Sequence, residues 1–301
     1  MRARMLAVVL LVCAHAAEGL AQVGDVGAST GAAGDVSSAT GGAARTAGKP
    51  RRKAPLARAR RAPRKKSPYD KLKESWHAPP DASVAAEAHA ASVPDLVFRL
   101  QGKSTPYVLK PNSRQGGFDT AQLEVGREAF GSWKGGPLPH PRVLDLIYAA
   151  TLHFDVPFVH LISGVRRDRG ASRHSHGLAA DIVLPGIEDE ELAAFFRAQG
   201  FVGVGTYPRS GFVHVDTRDK SYFWVDSSSP GQRGRVKQVR AAEARQVDEA
   251  ALARGSDTFV NPPRLQKALN ARLARRRRAR AHRDAARIVT TTTTAAGTGE
   301  H

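Results

Sequence analysis

Apolar and polar residues fall into a folding pattern only from about Leu96 onward. "DLVFRLQG" (95–102) and "PYVLKPN" (106–112) are short β-prone runs between turn residues and predict two strands. "PRVLDLIYAATLHF" (141–154) opens on Pro141 and spaces Val143, Leu146, Ile147 and Ala150 as one face of a helix. "VPFVHLIS" (156–163) and "AADIVL" (179–184) are short apolar runs that predict buried strands, and "DEELAAFFRAQ" (189–199) predicts a helix stopped by Gly200. "VGVGTY" (202–207), "GFVHVDT" (211–217) and "SYFWVD" (221–226) add three strands separated by Pro, Gly and Asp/Lys turns. Strands and helices without a regular βαβ alternation predict an α+β fold: a small mixed or antiparallel sheet with flanking helices, spanning 96–232.

Both ends of the 301-residue chain are too polar or too rich in small residues to add a core. "MRARMLAVVLLVCAHAAEGLAQ" sets Arg2 and Arg4 before an apolar stretch from Met5 to Cys13 and small residues near Ala16 and Ala21. It predicts a signal peptide over 1–21, with an apolar stretch too short to span a bilayer, so the mature chain is expected to carry no transmembrane segment. Cys13 would be the lipidation point of a lipoprotein reading, which bulky Val12 and the very short leading segment argue against. It is the only cysteine, so an exported chain must rely on its core or on a metal in place of disulfides. Residues 22–75 are expected to be a disordered Gly/Ala-rich linker followed by a basic segment, and 233–301 a polar, basic extension, largely disordered or helical.

The formal net charge of +18 belongs to these flanks. Residues 45–75 hold 13 Lys/Arg against 2 Asp/Glu, and 264–301 hold 10 against 2, whereas 76–263 hold 21 of each. Basic tails on a neutral centre suit attraction to anionic envelope polymers, which salt weakens. Nucleic-acid binding through the same tails is the reading opposed by the export signal and the neutral centre.

Candidate chemistry concentrates in "SRHSHGLAADIVLPG" (172–186), where Asp181 interrupts an apolar run. A buried carboxylate needs a cation, backbone donors or a metal. His174 stands seven residues earlier in a glycine-bearing loop, and the period of two in "GFVHVDT" aims Phe212, His214 and Asp216 at one face. Two imidazoles and one carboxylate, with a fourth position open to water, form a ligand set of a catalytic zinc site.

The whole string also reproduces S-x-H-x-x-G-x-A-x-D at Ser172, His174, Gly177, Ala179 and Asp181. It resembles the zinc peptidases of bacterial cell walls that include D-Ala-D-Ala dipeptidases and carboxypeptidases. "SGVRR" is similar to the S-G-Y-R-S segment of that superfamily, and "GVGTYPRSGFVHVDT" to the G-V-G-x-Y-P-x-S-x-F-V-H-x-D segment of its murein endopeptidase K-like branch. The resemblance covers roughly 126–226. It implies one zinc per chain on His174, Asp181 and His214, with Arg166 near substrate and the developing oxyanion and Ser172 lining the site. The implied protein is an exported metallopeptidase of the periplasm or cell envelope, hydrolysing peptide bonds of peptidoglycan.

Two departures bear on mechanism. Relatives often place a general base three residues before the last zinc histidine as Glu, or two before it as His; Gly211 and Phe212 occupy those positions here. Asp216 and His176 are the remaining candidates, and Asp216 has a second reading as the acceptor that fixes a ligand histidine. Val165 stands where the superfamily pattern has tyrosine. Without a base the same fold would serve as a non-catalytic, zinc-bearing wall-binding module.

Overall fold

Residue alternation along the strands sets the architecture, because each strand presents one apolar face to the helices and one polar or glycine-bearing face to the other side. The computed structural model describes residues 66–84, 91–167, 170–232 and 234–296, so the expected signal peptide and the linker up to residue 65 lie outside it. The strands are β1 (Leu96–Arg99), β2 (Tyr107–Leu109), β3 (Val159–Ser163), β4 (Ala179–Val183), β5 (Val202–Thr206), β6 (Val213–Thr217), β7 (Tyr222–Asp226) and β8 (Val236–Val239). They form one sheet in the order β2-β1-β3-β4-β6-β5-β7-β8. Among the described strands, only the β1/β3 and β5/β7 pairs are parallel.

The expected α+β class holds, but the sheet is larger than the small one expected. Its eighth strand, β8, shows three exposed positions out of four, so this edge carries no apolar alternation that sequence reading could detect.

Helices α2 (Thr120–Ala129), α3 (Pro141–His153) and α4 (Asp189–Arg197) pack on or beside the sheet. Asp119 caps α2 by accepting from the Gln122 amide at 2.8 Å, and the His140 imidazole caps α3 by accepting from the Arg142 amide at 3.2 Å. Ala180, Ile182, Val202, Val204, Val213, Val215 and Phe223 join Ile147, Tyr148 and Phe196 in one buried cluster. Asp181, His214 and Asp216 alternate with these residues and point to the opposite face.

Ordered structure also extends beyond 96–232 on both sides. Helix α1 (Pro68–His77) falls inside the stretch expected to be disordered. Ser67 and Asp70 close a capping box at its start, Trp76 is buried, and the Tyr69 hydroxyl donates to the Ser210 carbonyl at 2.8 Å. Those few anchors are diluted by four lysines nearby, which is why composition pointed to a tether.

On the C-terminal side, α5 (Ala241–Ala253) and α6 (Pro263–Ala296) follow β8. Asp248 of α5 accepts from the Phe201 amide at 2.7 Å and the Ser221 amide at 2.8 Å. Ala251, Phe259 and Leu265 complete a second apolar cluster with Leu178 and Phe201. A boundary at 232 would uncover that cluster, because its apolar partners are scattered through a polar segment.

Leu265, fully buried, provides the test. Leu265→Ala should cost about 2–4 kcal/mol of unfolding free energy, read from urea denaturation of the full-length protein; an unchanged midpoint would show that α6 is not part of the core.

Candidate metal centre

Register places the candidate ligands together. Asp181 of β4 lies directly opposite His214 of β6, and the same transverse row continues through Gly205 of β5 to Trp224 of β7. His174 arrives from a short 3-10 turn (His174–His176) that leads into β4. Gly177 ends this turn at φ 68°, and a Cβ there would collide with the Leu138 carbonyl. Only glycine meets both demands, which accounts for the glycine three residues after His174.

Each imidazole is oriented by its outer nitrogen. His174 Nδ1 lies 2.6 Å from the Gly164 carbonyl, which can only accept, so Nδ1 carries a proton and Nε2 presents a lone pair. His214 Nε2 lies 2.9 Å from Asp216 Oδ2, and Nδ1 is its inward-facing atom. The inner nitrogens are 3.1 Å apart, and Asp181 Oδ1 lies 2.8 Å from His214 Nδ1 and 3.4 Å from His174 Nε2. All three residues are buried, and one donor atom from each falls within 4.8 Å of the others.

Three electron-pair donors thus converge, the two imidazoles with their outer nitrogens already hydrogen-bonded, a disposition that calls for a cation. Ligand atoms about 2 Å from one tetrahedral ion lie about 3.3 Å apart, so the spacing, the N, N, O donor set and the histidine–acceptor pairs behind it all fit zinc. A proton competes for the same place. Burial alone would lower the His214 pKa, but hydrogen bonds and charge from Asp181 and Asp216 outweigh it and raise it. Burial would likewise raise Asp181, yet the His174 and His214 imidazoles hold it well below the usual carboxylate range.

Asp216 is placed differently from a general base. It is 1% exposed and receives His214 Nε2, Arg173 Nε at 3.1 Å, Arg218 Nε at 2.7 Å and a second contact from Arg218 Nη2. Burial pushes its pKa up, but Arg218 and His214 pull it far below the usual range. A carboxylate so committed holds the histidine and has no face toward substrate, which favours the second of the two readings made from sequence. His176 sits on the turn with Nε2 2.7 Å from the Gly170 carbonyl. Ser172 is partly buried at the start of that turn, its carbonyl accepting from the Ser175 hydroxyl at 2.7 Å. Arg166 is half-exposed, with Nη2 3.7 Å from the outer oxygen of Asp181. It stands at the mouth of the site.

Sequence reading did not single out Arg173, Arg218, Gly203 or Gly205. A Cβ on Gly203 would collide with Asp216 and the Arg218 guanidinium, and one on Gly205 with the Trp224 indole. The two glycines clear the site face of β5 so that longer side chains from β6 and β7 can lie across it. Their spacing of two within a strand was the available signal. Tyr207 lies near the site as well, though the sequence alone offers it only as a core or glycan-stacking aromatic. Its hydroxyl accepts from Trp224 Nε1 at 3.2 Å, and burial, helped by the charge of Asp181, pushes its pKa up to about 12, so it stays a donor.

Residues 114–216 match the family model described as Peptidase M15. Comparison with curated proteins and with solved structures finds no match. The matched stretch contains Arg166, Ser172, His174, Asp181, His214 and Asp216 and stops before β7, β8, α5 and α6.

Asp216→Asn should weaken zinc binding about 10- to 100-fold, measured by competition with a chromophoric chelator, because the His214 ring loses its charged acceptor and two arginines lose their counter-ion. Unchanged affinity in a folded variant would remove Asp216 from the centre.

Proposed function

We propose that this chain is a zinc peptidase of the peptidase M15 kind, a reading that the match over residues 114–216 supports, and that it hydrolyses peptide bonds in peptidoglycan with one zinc held by His174 Nε2, His214 Nδ1 and Asp181. The observation that carries this reading is the convergence of three buried donors, two of them imidazoles whose outer nitrogens are already hydrogen-bonded. Bound zinc supplies a Lewis acid for the scissile carbonyl and lowers the pKa of water to about 7.

The protein's own residues do the rest. Arg166, half-exposed beside Asp181, reaches a bound peptide and stabilises negative charge that develops on the carbonyl oxygen. Its planar fork of donors suits that role better than an ammonium. Ser172 lines the approach, and the protonated Tyr207 hydroxyl offers a further donor near Asp181 and Arg166. Asp216, Arg173 and Arg218 form the charged support that keeps His214 in one orientation. Export to the periplasm or cell envelope, with the basic flanks drawn to anionic envelope polymers, completes the proposal. No described helix is long and apolar enough to cross a membrane.

Full-length protein incubated with intact sacculi should release new peptide products, read by mass spectrometry. A chelator or His174→Ala should abolish them together with the bound zinc, whereas Arg166→Ala should keep the zinc and lower kcat about 100- to 1,000-fold. Release that persists in metal-free protein would contradict the assignment. Zinc-loaded wild type that releases nothing would leave a zinc-bearing wall-binding domain.

A further inference from the structure

A cavity of about 750 Å³ lies between the site face of the sheet and helix α6. Trp224, whose ring centroid is 5.0 Å from that of His214, and Arg218, which pairs with Asp216, form part of its sheet-side wall. The cavity is therefore one side chain away from the candidate metal ligands. Arg272, Leu273 and Arg276 contribute to its other wall, and among the described residues no acidic side chain lines it.

Two features make this wall a built one. First, α6 is fixed at its start: Leu265 is fully buried with Leu178 and Phe201, and Arg173 Nη1 donates to Asn261 Oδ1 at 3.1 Å just before the helix. Leu265, Leu269 and Leu273 follow one another at a spacing of four, so the face that anchors the helix runs on into the cavity. Second, Arg272 and Arg276, also four apart, carry their charge on that side, and neither has an ion-pair partner among the described residues. Arg218, by contrast, is paired with Asp216. Two unpaired guanidiniums in a cavity shared with the indole of Trp224 make a cleft for an acidic chain with some apolar surface.

We propose that the first turns of α6 form one wall of the substrate cleft, and that Arg272 and Arg276 bind free carboxylates of the peptide whose bond is cut at the metal centre. This rests on the peptidase reading above and names the substrate class for it: an acidic peptide, as the stem peptides of peptidoglycan are. The C-terminal extension, which lies outside the stretch matched to peptidase M15, then sets specificity in addition to completing the core.

The test uses the full-length, zinc-loaded protein and two soluble muropeptides with the same scissile bond, one with free side-chain carboxylates and one with those carboxylates amidated. Arg272→Gln/Arg276→Gln should raise KM for the acidic peptide about tenfold, the size expected of two partly exposed charge contacts, and leave KM for the amidated peptide and both kcat values within about twofold. The KM gap should narrow as salt is raised, and Arg272→Lys/Arg276→Lys should restore most of it. Equal changes for both peptides, or none for either, would overturn the proposal. A rise in kcat would overturn it too, by showing that α6 covers the site. If the wild type cuts neither peptide, the peptidase reading fails on its own. Calorimetric preference of the zinc-loaded protein for the acidic peptide, lost in the double Gln variant, would still support the carboxylate subsite, and equal binding of both peptides would overturn it.

Discussion

Two hydrogen bonds on the far sides of two imidazoles determine how the candidate centre can be used. The Gly164 carbonyl on His174 Nδ1 and the Asp216 carboxylate on His214 Nε2 turn Nε2 of the first ring and Nδ1 of the second toward Asp181. Asp216 is itself a buried charge and would be costly alone. Arg173 and Arg218 offset that cost, and Arg173 in turn reaches Asn261 ahead of α6. The chain of side-chain contacts runs unbroken from the donor atoms to the C-terminal extension, so the metal site depends on the full extent of the folded domain.

Backbone constraints make that chain possible. The β4/β6 register sets Asp181 against His214, while the two glycines of β5 keep the neighbouring strand low enough for Trp224 and Arg218 to cross it. Gly177 turns the chain at a point where the Leu138 carbonyl leaves no room for a Cβ. These glycines are specified by close approach and backbone angle, each for a different neighbour.

Much of this was legible in the sequence. The strands around His214 and Asp181 have strict alternation or an apolar run, and helix α3 has both its Pro start and its apolar stripe, so these elements stood out. The S-x-H-x-x-G-x-A-x-D string brought His174 and Asp181 forward, and the period of two in "GFVHVDT" did the same for His214. What could not be read was tertiary in origin. β8 is an edge strand of exposed residues, α1 is held by Trp76 and Tyr69 among lysines, and Phe259 and Leu265 are isolated apolar residues whose partners, Leu178 and Phe201, are far away in sequence. Asp216 was visible as a residue on the right face. Its commitment to His214, Arg173 and Arg218 depends on where those three side chains meet.

The central claim, that His174 Nε2, His214 Nδ1 and Asp181 converge to hold a metal, is tested most directly by X-ray absorption spectroscopy at the zinc edge on the zinc-loaded full-length protein. The account predicts one zinc with two imidazole nitrogens and oxygen ligands at about 2.0–2.2 Å, and loss of one imidazole contribution in His214→Ala. An all-oxygen shell, or a spectrum that His174→Ala and His214→Ala leave unchanged, would contradict it.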